Sequence, residues 1–206
     1  MRHLLLSLFL ALFVITASQE SVAQSACPSG WLGPYPVTIN YKPGCIISFW
    51  YCYSNIGGVV KTRVEYAPAT YGCLEDFLKD PSHNYLLAKA MVYDLGTVQY
   101  NPIGQHIVPP CSTLTSITVT FESVVCKYLQ NNASQGVMYV RDCLAAGVCR
   151  RSYQSCIDFT TDPPTPVLNQ IGIELDGSSS CQEDFPIPPI DPPDGWISPC
   201  FMDPCQ

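Results

Sequence analysis

The chain has 206 residues, a formal net charge of −7, 47% hydrophobic residues and only 13% charged ones. That balance argues against a nucleic-acid binder, whose target needs a basic surface, and against a ligand of anionic membrane surfaces. The length is enough for one domain with a core of its own.

The first segment, "MRHLLLSLFLALFVITA", places Arg2 and His3 before an apolar run from Leu4 to Ile15, and the small, polar "SQESVAQSA" follows. This layout predicts a secretory signal peptide over 1–23, cut after Ala23, with Ala17 and Ala26 as alternative sites. The apolar run is too short for a permanent span, and no later stretch approaches one. The expectation is a secreted or extracellular protein, or a periplasmic or outer-surface one if the source has two membranes. The domain then runs over 24–160, with a helical insertion near 74–95. An acidic, proline-rich segment, 161–206, follows and packs on it.

Cys27, Cys45, Cys52, Cys73, Cys111, Cys126, Cys143, Cys149, Cys156, Cys181, Cys200 and Cys205 all lie beyond the expected cut. Export with an even count predicts a disulfide framework. The pairing stays open, since twelve cysteines allow on the order of ten thousand complete sets.

"YPVTINY" alternates, with Val37, Ile39 and Tyr41 on one side, and "KPG" marks a turn. "CIISFWYCY" then puts Cys45, Ile47, Phe49, Tyr51 and Tyr53 on one face of a strand, and Ile46, Ser48, Trp50 and Cys52 on the other. Cys45 and Cys52 would lie roughly 23 Å apart along that strand. A disulfide needs Cα atoms within about 7 Å, so each must reach a different element. Two apolar faces predict a central strand covered on both sides. The functional alternative is an exposed platform of Trp50, Tyr51 and Tyr53 for sugar rings or a partner protein. "SNIGG" and the alternating "VVKTRVEYAP" complete a hairpin.

Between 74 and 95, Ser82 occupies an N-cap position and Leu86, Leu87, Ala90 and Met91 recur at helical spacing up to Gly96. One helix of about three turns is expected, preceded by a short turn over 74–78. β character returns in "STLTSITVTFESVVCKYLQ", "VMYVRDC" and "RRSYQSCIDF". Asn132-Ala133-Ser134 is a sequon on a turn. "NQIGIELD" reads as one last strand. Beyond it prolines preclude regular ladders, so an irregular tail pinned by Cys181, Cys200, Cys205 and Trp196 is expected. The fold class is mainly β, with α+β character minor: a disulfide-stabilised antiparallel sheet or sandwich carrying one helix.

Catalytic signatures are sparse. There is no HExxH, GxSxG, P-loop or dinucleotide motif. His83 and His106 stand alone, and neither a metal site nor a cofactor is expected. Asp176-Gly177 and Asp191–Asp194 lack EF-hand spacing. Glu65, Glu75, Asp76, Asp94, Glu122 and Asp142 could in principle supply the carboxyl pair of a glycosidase. Arg150 and Arg151, between Cys149 and Cys156, suit a stapled basic knuckle or, better, neutralisation of the acidic tail, which has no Lys or Arg of its own. "CFMDPC" could close on itself. The favoured function is a non-catalytic extracellular or cell-surface module, structural or binding protein or glycan. The alternative is a small secreted hydrolase of glycans.

Overall fold

A computed structural model describes residues 27–56, 59–66, 71–97, 106–113, 115–143, 146–178 and 180–205. The expected signal peptide lies outside the described residues. Strands β1 (Leu32–Lys42), β2 (Cys45–Ile56) and β3 (Val59–Tyr66) form an antiparallel meander, as their alternation and turn residues dictate. Two helices follow, α1 (Tyr71–Lys79) and α2 (His83–Thr97). Then come β4 (Ile117–Val124), β5 (Cys126–Asn132), β6 (Val137–Asp142), β7 (Val148–Asp158), β8 (Thr165–Asp176) and the short β9 (Phe201–Met202). The fold is mixed α+β, rich in strand and held by six disulfides.

Two departures from the expected plan have direct causes. The six-stranded sheet, in the order β1-β2-β3-β4-β7-β8, contains one parallel pair, β3 with β4. Both helices lie in the connection between those strands, and a crossover of that kind is what parallel neighbours require. The long β-branched run also breaks at Val125. Its first half, β4, stays in the large sheet. Its second half, β5, enters a three-stranded sheet in the order β6-β5-β9.

The helical segment likewise forms two helices instead of one with a leading turn. Ser82 accepts the first helical bond of α2 through its carbonyl, from Leu86 N at 2.9 Å. Its hydroxyl, however, donates to Asp80 Oδ1 at 2.6 Å instead of capping the helix. Leu87, Ala88, Met91, Val92 and Leu95 of α2 join Ile47, Phe49, Tyr51, Val119, Phe121 and Tyr153 of the large sheet in one core. α2 touches both edge strands of that sheet, β1 and β8, as well as β7. A sheet whose two edges meet one helix is curled about it, as strand twist favours.

Gly96 does not terminate α2, which continues to Thr97. Its role is close approach. A Cβ there would meet Ile157 Cγ1 at 2.2 Å and Cδ1 at 2.7 Å, and Ile157 is fully buried. Alanine is intrinsically better in a helix than glycine by about 1 kcal/mol, but overpacking costs about 1–3 kcal/mol. Gly96→Ala is therefore expected to lower the urea midpoint, and Gly96→Ala combined with Ile157→Ala to cost less than the sum of the two single changes, since the new methyl then has room. A G96A chain as stable as the parent would show that the helix and β7 are not in fixed contact.

The bridges are Cys27–Cys52, Cys45–Cys73, Cys111–Cys156, Cys126–Cys181, Cys143–Cys200 and Cys149–Cys205. Cys45 and Cys52 reach different elements, as strand geometry requires. Neither the self-closed "CFMDPC" nor the stapled Cys149–Cys156 hairpin forms. Cys149 and Cys156 are seven apart on one extended strand, so the distance that separates Cys45 from Cys52 separates them too. The last three bridges gather around Val125 in a second small core, packed chiefly with sulfur. They hold residues 180–205 against β5. There Asn131 N donates to Trp196 O at 2.8 Å and Ser198 N to Leu129 O at 2.9 Å.

Candidate functional site

On β2 the inner face is buried throughout: Cys45, Ile47, Phe49, Tyr51 and Tyr53 are each 2% exposed or less. The outer face is not closed in the same way. Ile46 is 56% exposed and Trp50 half-buried, while Cys52 is covered beside its bridge to Cys27. Two corrections follow. The strand is central but covered on one face only, because the helices all lie on the inner side. Trp50, Tyr51 and Tyr53 also cannot form one exposed platform, since Trp50 points away from the other two and those are in the core. Tyr35 packs on both, with ring centroids at 5.8 Å from Tyr51 and 5.7 Å from Tyr53. Burial, with Tyr35 alongside, pushes the Tyr53 hydroxyl above its ordinary pKa.

Tyr51 nevertheless leads to a concavity. Its hydroxyl donates to Asp94 Oδ2 at 2.8 Å. Asp94 lines a groove of about 540 Å³, a size within the roughly 300–1,000 Å³ of ligand clefts. One wall is residues 36–39 of β1. The other is residues 163–166, which lead into β8. The floor is the side of α2 that the curled sheet leaves uncovered: Leu86, Lys89, Ala90 and Tyr93. These four lie at i, i+3, i+4 and i+7 and so share one stripe. They are half-buried, apart from Tyr93, which is 37% exposed.

Four prolines, Pro36, Pro163, Pro164 and Pro166, stiffen the two walls. Lys89 has no hydrogen-bond or ion-pair partner among the described residues. The lining exposes more apolar than polar surface. The groove thus offers an apolar trough, one uncommitted ammonium, one phenol, and a carboxylate oriented from beneath.

The remaining candidates are engaged elsewhere. Glu75 pairs with Lys79 at 2.7 Å and Asp76 with Lys42. Glu122 pairs with Arg150 at 2.9 Å and Asp142 with Lys127 at 3.0 Å. The side chain of Glu65 lies outside the described residues. His106 is exposed and stacks loosely on Phe159. No group of three or more His, Cys, Asp or Glu among the described residues could hold a metal ion. The adjacent arginines point to opposite faces, as neighbours on a strand must. Arg150 bonds Glu122 and Asp176. Arg151 is buried, donating to Ser123 Oγ at 3.1 Å and to the tail carbonyl of Pro204 at 2.8 Å. There is no basic knuckle.

A second polar centre is enclosed. His83, Asn84, Lys127 and Asp203 are all below 6% exposed. His83 Nδ1 donates to Asp80 O at 2.7 Å, while Nε2 faces Asp203 Oδ1 at 2.9 Å. Asn84 Nδ2 donates to the same oxygen at 3.2 Å, and Lys127 Nζ lies 4.0 Å from Oδ2. Burial alone would raise the Asp203 pKa. The His83 bond and the charges of Lys127 and His83 outweigh it and hold the carboxyl below its ordinary value. This cluster is sealed from solvent and ties the C-terminal segment to α2 and β5.

Comparison of the chain with protein-family models, curated proteins and solved structures finds no match. The groove is therefore read from its own chemistry. Sequence reasoning reached Tyr51 and Asp94 but grouped Leu86 and Ala90 with Leu87 and Met91 in one helical stripe. α2 is apolar almost all round, so periodicity could not separate the covered side from the open one. Lys89, alone among these residues, was the available signal.

Proposed function

We propose that the chain is an exported, non-catalytic binding module that acts outside the cell and takes its ligand in the groove between β1, α2 and β8. The observation that carries this reading is the apolar trough with its uncommitted Lys89 and the buttressed Asp94, at a place where the sheet's two edges leave a helix face open. Few convergent polar groups in a mainly apolar cleft are the usual form of a ligand site. Six bridges, with no free cysteine among the described residues, suit an oxidising compartment.

The hydrolase alternative needs a second carboxyl roughly 5–10 Å from the first. Among the lining residues only Asp94 carries one.

The test is a paired screen of glycan and peptide arrays with the parent chain and an Ala90→Trp variant, whose indole fills the trough. Ligands retained by the parent and lost by A90W are the expected result. Array binding that A90W leaves unchanged would place the site elsewhere.

A further inference from the structure

The groove lies beside an unpaired strand edge. Among the described residues β1 bonds only to β2, so the backbone groups on its other side have no strand partner there. Pro36, opposite Trp50 in the ladder, has no N–H to offer. A proline is accommodated in an edge strand where its nitrogen faces away from the neighbour. By the two-residue alternation of a strand, Thr38 and Asn40 turn their N–H and C=O groups the same way, outward. Neither residue is followed by a proline before Lys42. Free donors and acceptors therefore border the trough along 38–40, next to the open stripe of α2.

The opposite wall differs. Pro163, Pro164 and Pro166 leave it few backbone donors, so it can be recognised by packing but poorly by pairing. One edge is open to a ladder, the facing edge is blocked, and an apolar floor lies between them. That arrangement fits a single added strand better than a small rigid ligand.

We infer that the groove takes an extended segment of a partner polypeptide, added as a strand to the free edge of β1. Alternate apolar side chains of that segment rest on Leu86, Ala90 and Tyr93, and an Asp or Glu meets Lys89. The inference rests on the groove being the binding site and names what enters it. Main-chain bonds to Thr38 and Asn40 supply affinity, while the floor and Lys89 select sequence; this is the division of labour in strand addition. The choice of an acidic segment follows from charge. Lys89 is the one cation of the lining and has no partner among the described residues, whereas Asp94, its one carboxylate, already accepts from the Tyr51 hydroxyl.

The experiment is selection from a random ten-residue peptide phage library on the full chain, counter-selected against A90W, with a glycan array run in parallel. Enriched peptides are expected to alternate apolar residues and to carry an acidic one. The best of them, made synthetically, should lose about tenfold or more in affinity when its alternate amides are N-methylated. It should lose a comparable factor against Lys89→Glu, a change on the open stripe that spares the core. Thr38 and Asn40 amides should gain hydrogen-exchange protection in the complex.

If the selected peptides tolerate N-methylation on both alternate sets of amides, strand addition is wrong. If no A90W-sensitive peptide emerges but an A90W-sensitive glycan does, the peptide inference falls and the binding reading stands. If neither library yields such a ligand, both fall. Thermal melts of A90W and Lys89→Glu establish that each variant is folded before its binding is scored.

Discussion

Lys127→Ala is expected to destabilise the protein by about 3–5 kcal/mol, the range for removing one partner of a buried ion pair. Lys127 is 1% exposed, lies between Asp142 and Asp203, and contributes to holding the Asp203 carboxyl ionised. Without it, Asp203 remains 4% exposed, with His83 and Asn84 as its remaining side-chain partners among the described residues. Lys127→Ala combined with Asp203→Ala should cost less than the sum of the two single changes, because no buried carboxylate is then stranded at that position. Urea denaturation of the four chains closes the cycle.

The same carboxyl sets an acid limb. Its folded-state pKa is depressed, so its contribution is fully present above the unfolded value of about 3.9. The contribution is lost as pH falls through the folded value. Asp203→Asn should therefore flatten the decline of stability on the acid side. A K127A chain within 1 kcal/mol of the parent, with an unchanged acid limb, would mean that the network contributes little to holding the tail.

The second large effect belongs to sulfur. Replacing both Cys149 and Cys205 by serine opens a loop that, with Cys143–Cys200 intact, runs through that neighbouring bridge and spans about a dozen residues, for which loop-closure entropy predicts a cost of about 3 kcal/mol. Cys205 lies two residues beyond Asp203, so its release also loosens the Asp203 cluster, and the two effects should not add. Amide exchange at Ser198 and Asp203 is expected to speed up before any change appears in α2. A double-serine chain melting within a degree of the parent would show that packing and hydrogen bonds alone fix this segment. Serines at Cys27 and Cys52, whose bridge lies at the other end of the chain, should leave exchange at Asp203 unaltered.

How much of this was legible in the residues varies with the range of the interaction. Val37, Ile39 and Tyr41 alternate because one side of β1 faces the core, and the alternating runs on either side of "SNIGG" pair as β2 and β3. These local signals yielded the meander, the separate destinations of Cys45 and Cys52, and the mainly β class. The parallel β3–β4 pair was not legible, since it depends on where a long connection returns. Nor was the corner at Val125, where a continuous β-branched run changes sheets without a glycine or proline to mark it.

The groove was the least accessible. Its walls come from 36–39 and 163–166 and its floor from α2, so it exists only once the large sheet has curled. Trp50, Tyr51 and Tyr53 misled for a related reason. Aromatic residues serve cores and binding faces alike, and only the side on which the helices land decides between them.

The order of the bridges carries a consequence for biogenesis. The first four cysteines pair only among themselves and the last eight only among themselves, and no bridge joins cysteines adjacent in the chain. During vectorial synthesis the amino-terminal set can close as soon as Cys73 has emerged. Cys126, Cys143 and Cys149 instead wait, as thiols or in provisional pairings, until Cys181, Cys200 and Cys205 have emerged. Any provisional pairing formed in the carboxy-terminal half must then be reshuffled, a step whose pace depends on oxidant and isomerase.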